Sequence, residues 1–440
     1  MRITKLHIKA YKNIQDFDWE LNPDYPVAVI VGKNASGKSN LLEAILLIFA
    51  QIRTERIDKK FRFEVEYQDF DQNVILFKNN KNGFSSTRNG ASINANRVFP
   101  KQIIAYYAGT TSRMAHIIKE YRKKRETTRE FDIVYTHPAH FRFALLALFG
   151  SNLERIKDGL LKDKFGIKEL ISFQIKIQKP EYSLPKEANK ENFWFAPISL
   201  KSFFETLIQS GTSQNSGNDY TIDFDKKALE RLMESLIIGI TNERQLFEYL
   251  SESFEGGFIK TVEINLKKTD IVNPINYKDL SEGEKQRIGM RGTIELFLGS
   301  ETLFLLDEPD SFAHPRWQWQ FVPDLQETLG DSRSLQVILV THSPLVLSTV
   351  RDNAFMMEGG QIQELNDLYG MDVDTVLIDG METSVRPPQV AQDFESYFIF
   401  IESGRGESDE AKKKRQDLER IYPLNHPSFS KADMLRSLYI

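Results

Sequence analysis

Three kinds of hydrophobic pattern alternate along the chain, and each predicts a kind of element. The opening segment ITKLHIKAY alternates apolar and polar positions, the period of a half-buried strand, and YPVAVIV is a short unbroken apolar run. Residues 1–31 therefore read as strands. An apolar helix is expected from about Ser39 to Gln51, directly after GKNASGKSN. Residues 60–100 mix Phe, Val, Asn and Gly and predict antiparallel hairpins, and QIIAYYAGT predicts a further buried strand. The runs ETLFLLDEPD and LQVILVTHSP are apolar throughout and end in polar residues, the signature of parallel strands covered on both faces. Between the halves, residues 115–257 change character. A charged run, KEYRKKRETTRE, leads into helical stretches such as FRFALLALFGSNLERIKDGLL, and a polar stretch, QSGTSQNSGND, reads as a linker. FIKTVEINL is expected to return the chain to the main sheet.

Four regions follow from this pattern: 1–114 as the first half of an α/β domain with an antiparallel lobe, 115–257 as a compact, mainly helical insertion, 258–371 as the second half, and 372–440 as a charged helical tail. The chain has 440 residues, 41% hydrophobic and 27% charged, an ordinary globular balance. The net charge of -5 means that any nucleic-acid contact has to be a local basic patch. There is no cysteine, which excludes thiol catalysis and cysteine-ligated zinc and suits the cytoplasm. No apolar run has signal-peptide or membrane-spanning length, so no membrane role is expected.

The chemistry concentrates at the ends of the predicted strands. Gly32-Lys33-Asn34-Ala35-Ser36-Gly37-Lys38-Ser39 fits the phosphate-binding loop pattern and sits between a strand and a helix. Its glycines let backbone N–H groups converge on phosphate oxygens at a helix N-terminus. Lys38 is placed to reach the β- and γ-phosphates of a nucleotide such as ATP, and the Ser39 hydroxyl to ligate Mg²⁺. Asp307 ends an apolar strand and suits the same cation, while Glu308 suits the attacking water. His342 follows the next buried strand, on the same sheet edge. In KDLSEGEKQRIGM, Ser281 is a good N-cap and Glu284 completes a capping box, with Ile288, Ile294, Leu296 and Leu298 at roughly helical spacing.

The order of these four segments resembles the ABC-type ATPases, in the soluble branch that holds the SMC, RecF and OLD-family proteins. Asn34 and Asn40 in GKNASGKSN, and the N-terminal LHIKAYKNI, are typical of that branch. The resemblance covers about 1–112 and 258–350. It implies a nucleotide held by Gly32, Asn34, Ala35, Ser36, Gly37, Lys38, Ser39 and Asn40, a catalytic Glu308 and a switch residue, His342. It also implies that Ser281, Gly283 and Glu284 begin a signature helix that caps the γ-phosphate in a second copy, giving a head-to-tail homodimer with two shared ATP sites, and a higher oligomer built from such dimers. One feature departs from the family. Its usual glutamine follows a strand, whereas Gln102 precedes one; Thr110, Thr111 or Ser112 are the candidates to replace it.

Size, insertion and tail, with the segments FDIVYTHPAHF and YGMDVDTVL, resemble the ATPase subunits of Septu-type antiphage systems. That implies a separate HNH nuclease subunit as partner. The alternatives are the ATPase of a defence system with a Toprim effector, or a RecF-like repair ATPase. YFIFIESGRGESDE superficially resembles the start of a Toprim domain, but no later Asp-x-Asp pair follows, so no nuclease site is expected in this chain. Nor is there an H-N-H pattern: His137, His140 and His426 have no partners in the sequence. The basic cluster Arg113–Arg129 is either a contact for DNA or RNA phosphates or a solvated helix face.

Overall fold

The fold is described from a computed structural model, which defines residues 1–54, 56–94, 101–109, 113–124, 133–182, 187–216, 219–236, 242–298, 301–330 and 334–438. The chain forms two compact units, Met1–Gly370 and Met371–Ile440.

In the first unit, a seven-stranded sheet runs in the order Gln361–Glu364, Ala354–Glu358, Val27–Val31, Leu335–Val340, Thr302–Asp307, Gln102–Tyr107 and Ile133–Thr136. Only the first pairing is antiparallel. The strands Val27–Val31, Thr302–Asp307 and Leu335–Val340 are buried along their whole length, which is why their sequences carry no alternation. A six-stranded antiparallel sheet, in the order Ile14–Glu20, Arg2–Tyr11, Phe63–Gln68, Val74–Asn80, Gly83–Arg88 and Ala91–Ser92, forms the second layer. The helix Lys38–Thr54 shares one apolar core with both sheets, so Leu41, Leu42, Ile45, Leu46, Ile48 and Phe49 are all buried. A helix apolar all round needs cover all round.

The expected insertion differs from its reading in three ways. Its strand Ile133–Thr136 is part of the seven-stranded sheet, paired with Gln102–Tyr107. The segment FIKTVEINL does not return to that sheet. As Ile259–Lys268 it pairs with Ile167–Ile177 inside a separate five-stranded antiparallel sheet. The polar stretch at 209–219 is not a linker, since Thr212–Ser216 and Asp219–Asp225 form a hairpin in that same sheet. Alternation in Ile167–Ile177 and Asp219–Asp225 places one face inward, with Phe173 stacked on Phe224 at 4.4 Å.

The second unit holds the helices Pro388–Glu402, Asp409–Ile421 and Pro427–Leu438 around Phe394, Tyr397, Ile401, Leu418 and Phe429. Among the described residues of both units, no helix is long and apolar enough to cross a membrane.

Candidate active site

Strand register gathers the site. Asp307 lies opposite both Tyr107 and Val340, and Val340 lies opposite Ile30, so the C-terminal ends of four strands finish at one edge. Ligands of open α/β sheets bind at this edge.

The loop after Val31 is shaped by conformations that few residues tolerate. Gly32 has φ +152°, and a Cβ there would meet the Met357 carbonyl oxygen at 2.2 Å. Gly37 has φ +113° and lies against Asn13 and Met357. Ala35 takes φ 64° between them. Asn13, from the N-terminal LHIKAYKNI segment, braces the loop: its amide donates to the Ala35 carbonyl and its carbonyl accepts from the Asn40 amide at 2.7 Å. Lys38 is buried and donates to the carbonyls of Gly32 and Lys33, at 2.7 and 2.9 Å. Burial lowers its pKa, opposed by the charges of Glu308 and Asp307.

The acidic side is equally constrained. Asp307 is buried, and among the described residues its carboxylate has no hydrogen-bond partner beyond the neighbouring Ser39 hydroxyl. Burial pushes its pKa up to about 6, the Ser39 hydroxyl opposing and Glu308 adding to the rise. Glu308 adopts φ 51°, a left-handed conformation that costs of order 1 kcal/mol or more for a side-chain-bearing residue. Its N–H donates to Val340 O at 2.8 Å, and Ser311 Oγ donates to its carbonyl and carboxylate. Its Oε1 lies 3.5 Å from His342 Nε2. Burial and the Lys38 charge lower the His342 pKa and so favour the neutral ring, while Glu308 opposes them.

Two residues that sequence reading passed over belong to this framework. Asp310 is buried, its carboxylate accepts from Thr341 Oγ1 at 2.8 Å, and burial pushes its pKa up to about 6. Gln286, in the helix Glu282–Leu296, accepts from the Phe312 N–H at 3.1 Å and so ties that helix to the loop following Glu308. DEPD and the glutamine of GEKQR were the available signals.

The capping box at Ser281 is present: Ser281 Oγ accepts from Glu284 N, and Glu284 Oε2 accepts from Ser281 N. Lys268 pairs with Glu284. Burial works against that carboxylate, but bonds from Lys268 and Ser281 hold its pKa below the ordinary value. Ser281 is exposed, and among the described residues no hydrogen bond or ion pair joins Ser281, Gly283 or Glu284 to the loop at 32–40 or to Asp307, Glu308 or His342. A Cβ on Gly283 would meet the Trp317 ring at 2.9 Å and Phe312 O at 3.1 Å.

Gln102 is buried at the opposite end of its strand, beside Thr302, far along the register from Asp307. Thr110, Thr111 and Ser112 lie outside the described residues, as do the positions after Lys124 in the basic cluster. Arg113 is taken from that cluster by an ion pair with the buried Glu43, at 3.5 Å.

The fold and this edge define a P-loop ATPase of the ABC type. The chain belongs to the family described as "AAA domain, putative AbiEii toxin, Type IV TA system", whose model matches residues 27–348. It is similar to the Retron Ec83 probable ATPase of Escherichia coli, 22% identical over 94% of this chain and 82% of that protein. It is also similar to the Retron Vc95 probable ATPase of Vibrio cholerae serotype O1 biovar El Tor, 22% identical over 84% of this chain and 74% of that one. The Septu protein PtuA of Bacillus mycoides is 22% identical over 95% of this chain, which spans 50% of that relative. Among solved structures, an Smc head bound to the C-winged helix domain of ScpA aligns with 83% of this chain and 98% of its own, at 14% identity and a TM-score of 0.37.

Proposed function

We propose that the chain is the ATPase subunit of an antiphage defence complex, and that two copies close head to tail around two ATP molecules to control a separate HNH-type nuclease. The observation that carries the shared site is the exposed start of the helix Glu282–Leu296, which has no bond to its own chain's phosphate loop. It is a helix N-terminus suited to an anion, on a chain with one P-loop. The retron ATPases and the Septu protein among the relatives support the defence setting.

In this reading Lys38 leaves the Gly32 and Lys33 carbonyls to meet the β- and γ-phosphates. Ser39 and Asp307 would hold Mg²⁺. The fit is good, since a buried carboxylate with only a neighbouring hydroxyl beside it is an oxygen donor set that hard cations prefer. The bound ion would neutralise phosphate charge. Glu308 accepts the proton of the attacking water, and neutral His342, 3.5 Å from Glu308, orients that water and senses the γ-phosphate.

Native mass spectrometry of Glu308→Gln with ATP, co-expressed with its genomic neighbour, tests the proposal. Expected is an ATP-dependent even-numbered assembly carrying an HNH protein. A chain that hydrolyses ATP at the wild-type rate while strictly monomeric overturns the shared site, and a Toprim or non-nuclease partner overturns the effector assignment.

A further inference from the structure

Away from the nucleotide edge, folding brings together three metal-binding side chains that lie far apart in the sequence. The strand Ile133–Thr136 ends at His137, the turn Pro138–His140 follows, and Glu255 closes the helix Asn242–Glu255. Glu255 Oε1 lies 3.0 Å from His137 Nε2 and 3.1 Å from His140 Nε2, and the three ligand atoms fall within 4.8 Å of one another. A tetrahedral Zn²⁺ with bonds of about 2.0–2.1 Å separates neighbouring ligand atoms by roughly 3.3 Å. The two separations to Glu255 are within about 0.3 Å of that edge, and the two histidine nitrogens lie no more than 4.8 Å apart, so side-chain adjustment brings all three ligand atoms to one ion.

The surroundings suit a cation too. His140 is fully buried, whereas His137 and Glu255 keep 25% and 32% of their side-chain exposure, which gives an inner ligand and an outer face open to water. Tyr135, Phe143 and Phe254 wall the cluster with aromatic rings. Such a shell raises the strength of metal–ligand interactions. Ala139 N–H donates to His137 Nδ1 at 3.3 Å, which leaves the Nε2 proton facing Glu255. Metal loading therefore moves the His137 proton to Nδ1 and gives up this long contact.

We propose that His137, His140 and Glu255 bind one divalent transition cation of the Zn²⁺ class, with the fourth position open to water. Two imidazoles and one carboxylate with an open position are a ligand set this class accepts. The ion has a structural consequence. It ties the end of a strand of the main sheet to the helix Asn242–Glu255 of the insertion. The helix Phe141–Gly150 begins directly after His140 and lies on the helix Glu282–Leu296, where a Cβ on Gly289 would sit 1.8 Å from Phe141 Cγ. The site thus anchors, from behind, the platform that carries Ser281.

Untagged full-length protein is stripped with chelator, loaded with Zn²⁺ without nucleotide, desalted, and assayed for metal by mass spectrometry. Expected is about one ion per chain, with a rise in Tm on loading. Co²⁺ loading should give the visible absorption of four-coordinate Co²⁺. His137→Ala and Glu255→Gln should each retain at least about tenfold less Zn²⁺, the lower end of what losing a metal contact costs, while Asp307→Asn retains the ion. Glu255→Gln preserves side-chain shape, and a cooperative thermal transition without ligand verifies that each variant is folded. Less than about a tenth of an ion per wild-type chain, or loss of the ion in Asp307→Asn with retention in Glu255→Gln, overturns the proposal.

Discussion

The helices Lys38–Thr54 and Glu282–Leu296 both start with N–H groups that no helical carbonyl can reach, yet the chain equips them differently. The first has no acidic residue in its opening turn and carries Lys38. The second opens with Glu282 and Glu284, and Glu284 already occupies the Ser281 N–H. Lys268 balances that carboxylate, leaving the N–H groups of Glu282 and Gly283 to meet an outside anion. In the function proposed above, the first terminus holds a phosphate by itself, and the second, already self-capped, completes a site only after nucleotide has bound elsewhere. Affinity would then be concentrated at the phosphate loop and closure at the capped helix.

The sharpest way to break this contrast is to remove chemistry while leaving both termini intact. Glu308→Gln should bind ATP normally and lose roughly 10²–10⁴-fold in kcat, the scale of a missing general base. Single-turnover hydrolysis at the wild-type rate would place the base elsewhere. The next test targets the capped helix. Gly283→Asp is a poor probe, because its Cβ would strike Trp317 and Phe312 of the same chain. Ser281→Asp is better, since aspartate caps helices as well as serine does but sets a negative charge toward the phosphate. Ser281→Asp and Lys38→Ala should each be inactive alone. Mixed equally, random pairing gives half mixed dimers with one sound site in two, so steady-state turnover should recover to about a quarter of wild type if sites fire independently. Wild-type turnover by Ser281→Asp alone would remove the helix from the site.

What could be read in advance follows the same division. The phosphate loop, Asp307-Glu308 and His342 are contiguous segments at the ends of strands buried on both faces, so local pattern and local chemistry coincide. The five-stranded sheet was not legible. Ile167–Ile177 and Ile259–Lys268 pair across some ninety positions, and alternation marks a strand without naming its partner or its sheet. The hairpin at 212–225 was hidden by polar composition, since residues of an exposed edge strand resemble a linker. His137 and His140 have no partner in the nearby sequence, because Glu255 lies 118 and 115 residues away and only tertiary structure supplies it.

The glycines of the helix Glu282–Leu296 sharpen the comparison from its buried side. Gly289 and Gly292 admit Phe141 and Leu148 of the helix Phe141–Gly150, which crosses close enough that a methyl group at 289 overlaps the Phe141 ring. Gly289→Ala should lower stability by about 3 kcal/mol, the upper part of the usual overpacking range, measured by urea unfolding. Gly159→Ala meets nothing within 4 Å and should change stability by less than about 1 kcal/mol in either direction. Equal effects at the two positions would show that the helix contact is looser than described.

The smallest expected effect tests the cost of the acidic edge itself. Asp310 is buried against Thr341, and burial pushes its pKa in the folded protein from the ordinary 3.8 up to about 6. A raised carboxyl pKa favours the protonated form in the fold. Its contribution to stability is therefore complete below about pH 4 and is lost as pH rises through about 6. At pH 7–8 the ionised side chain weakens the fold. Asp310→Asn keeps an acceptor for the Thr341 hydroxyl and removes the charge, so it should stabilise the protein by about 1–2 kcal/mol at pH 8. The gain should shrink toward zero near pH 4. Paired urea titrations of wild type and variant across that range measure the difference and cancel groups common to both. A difference independent of pH would mean that the hydrogen bond to Thr341, and not the buried charge, sets the energy at this position.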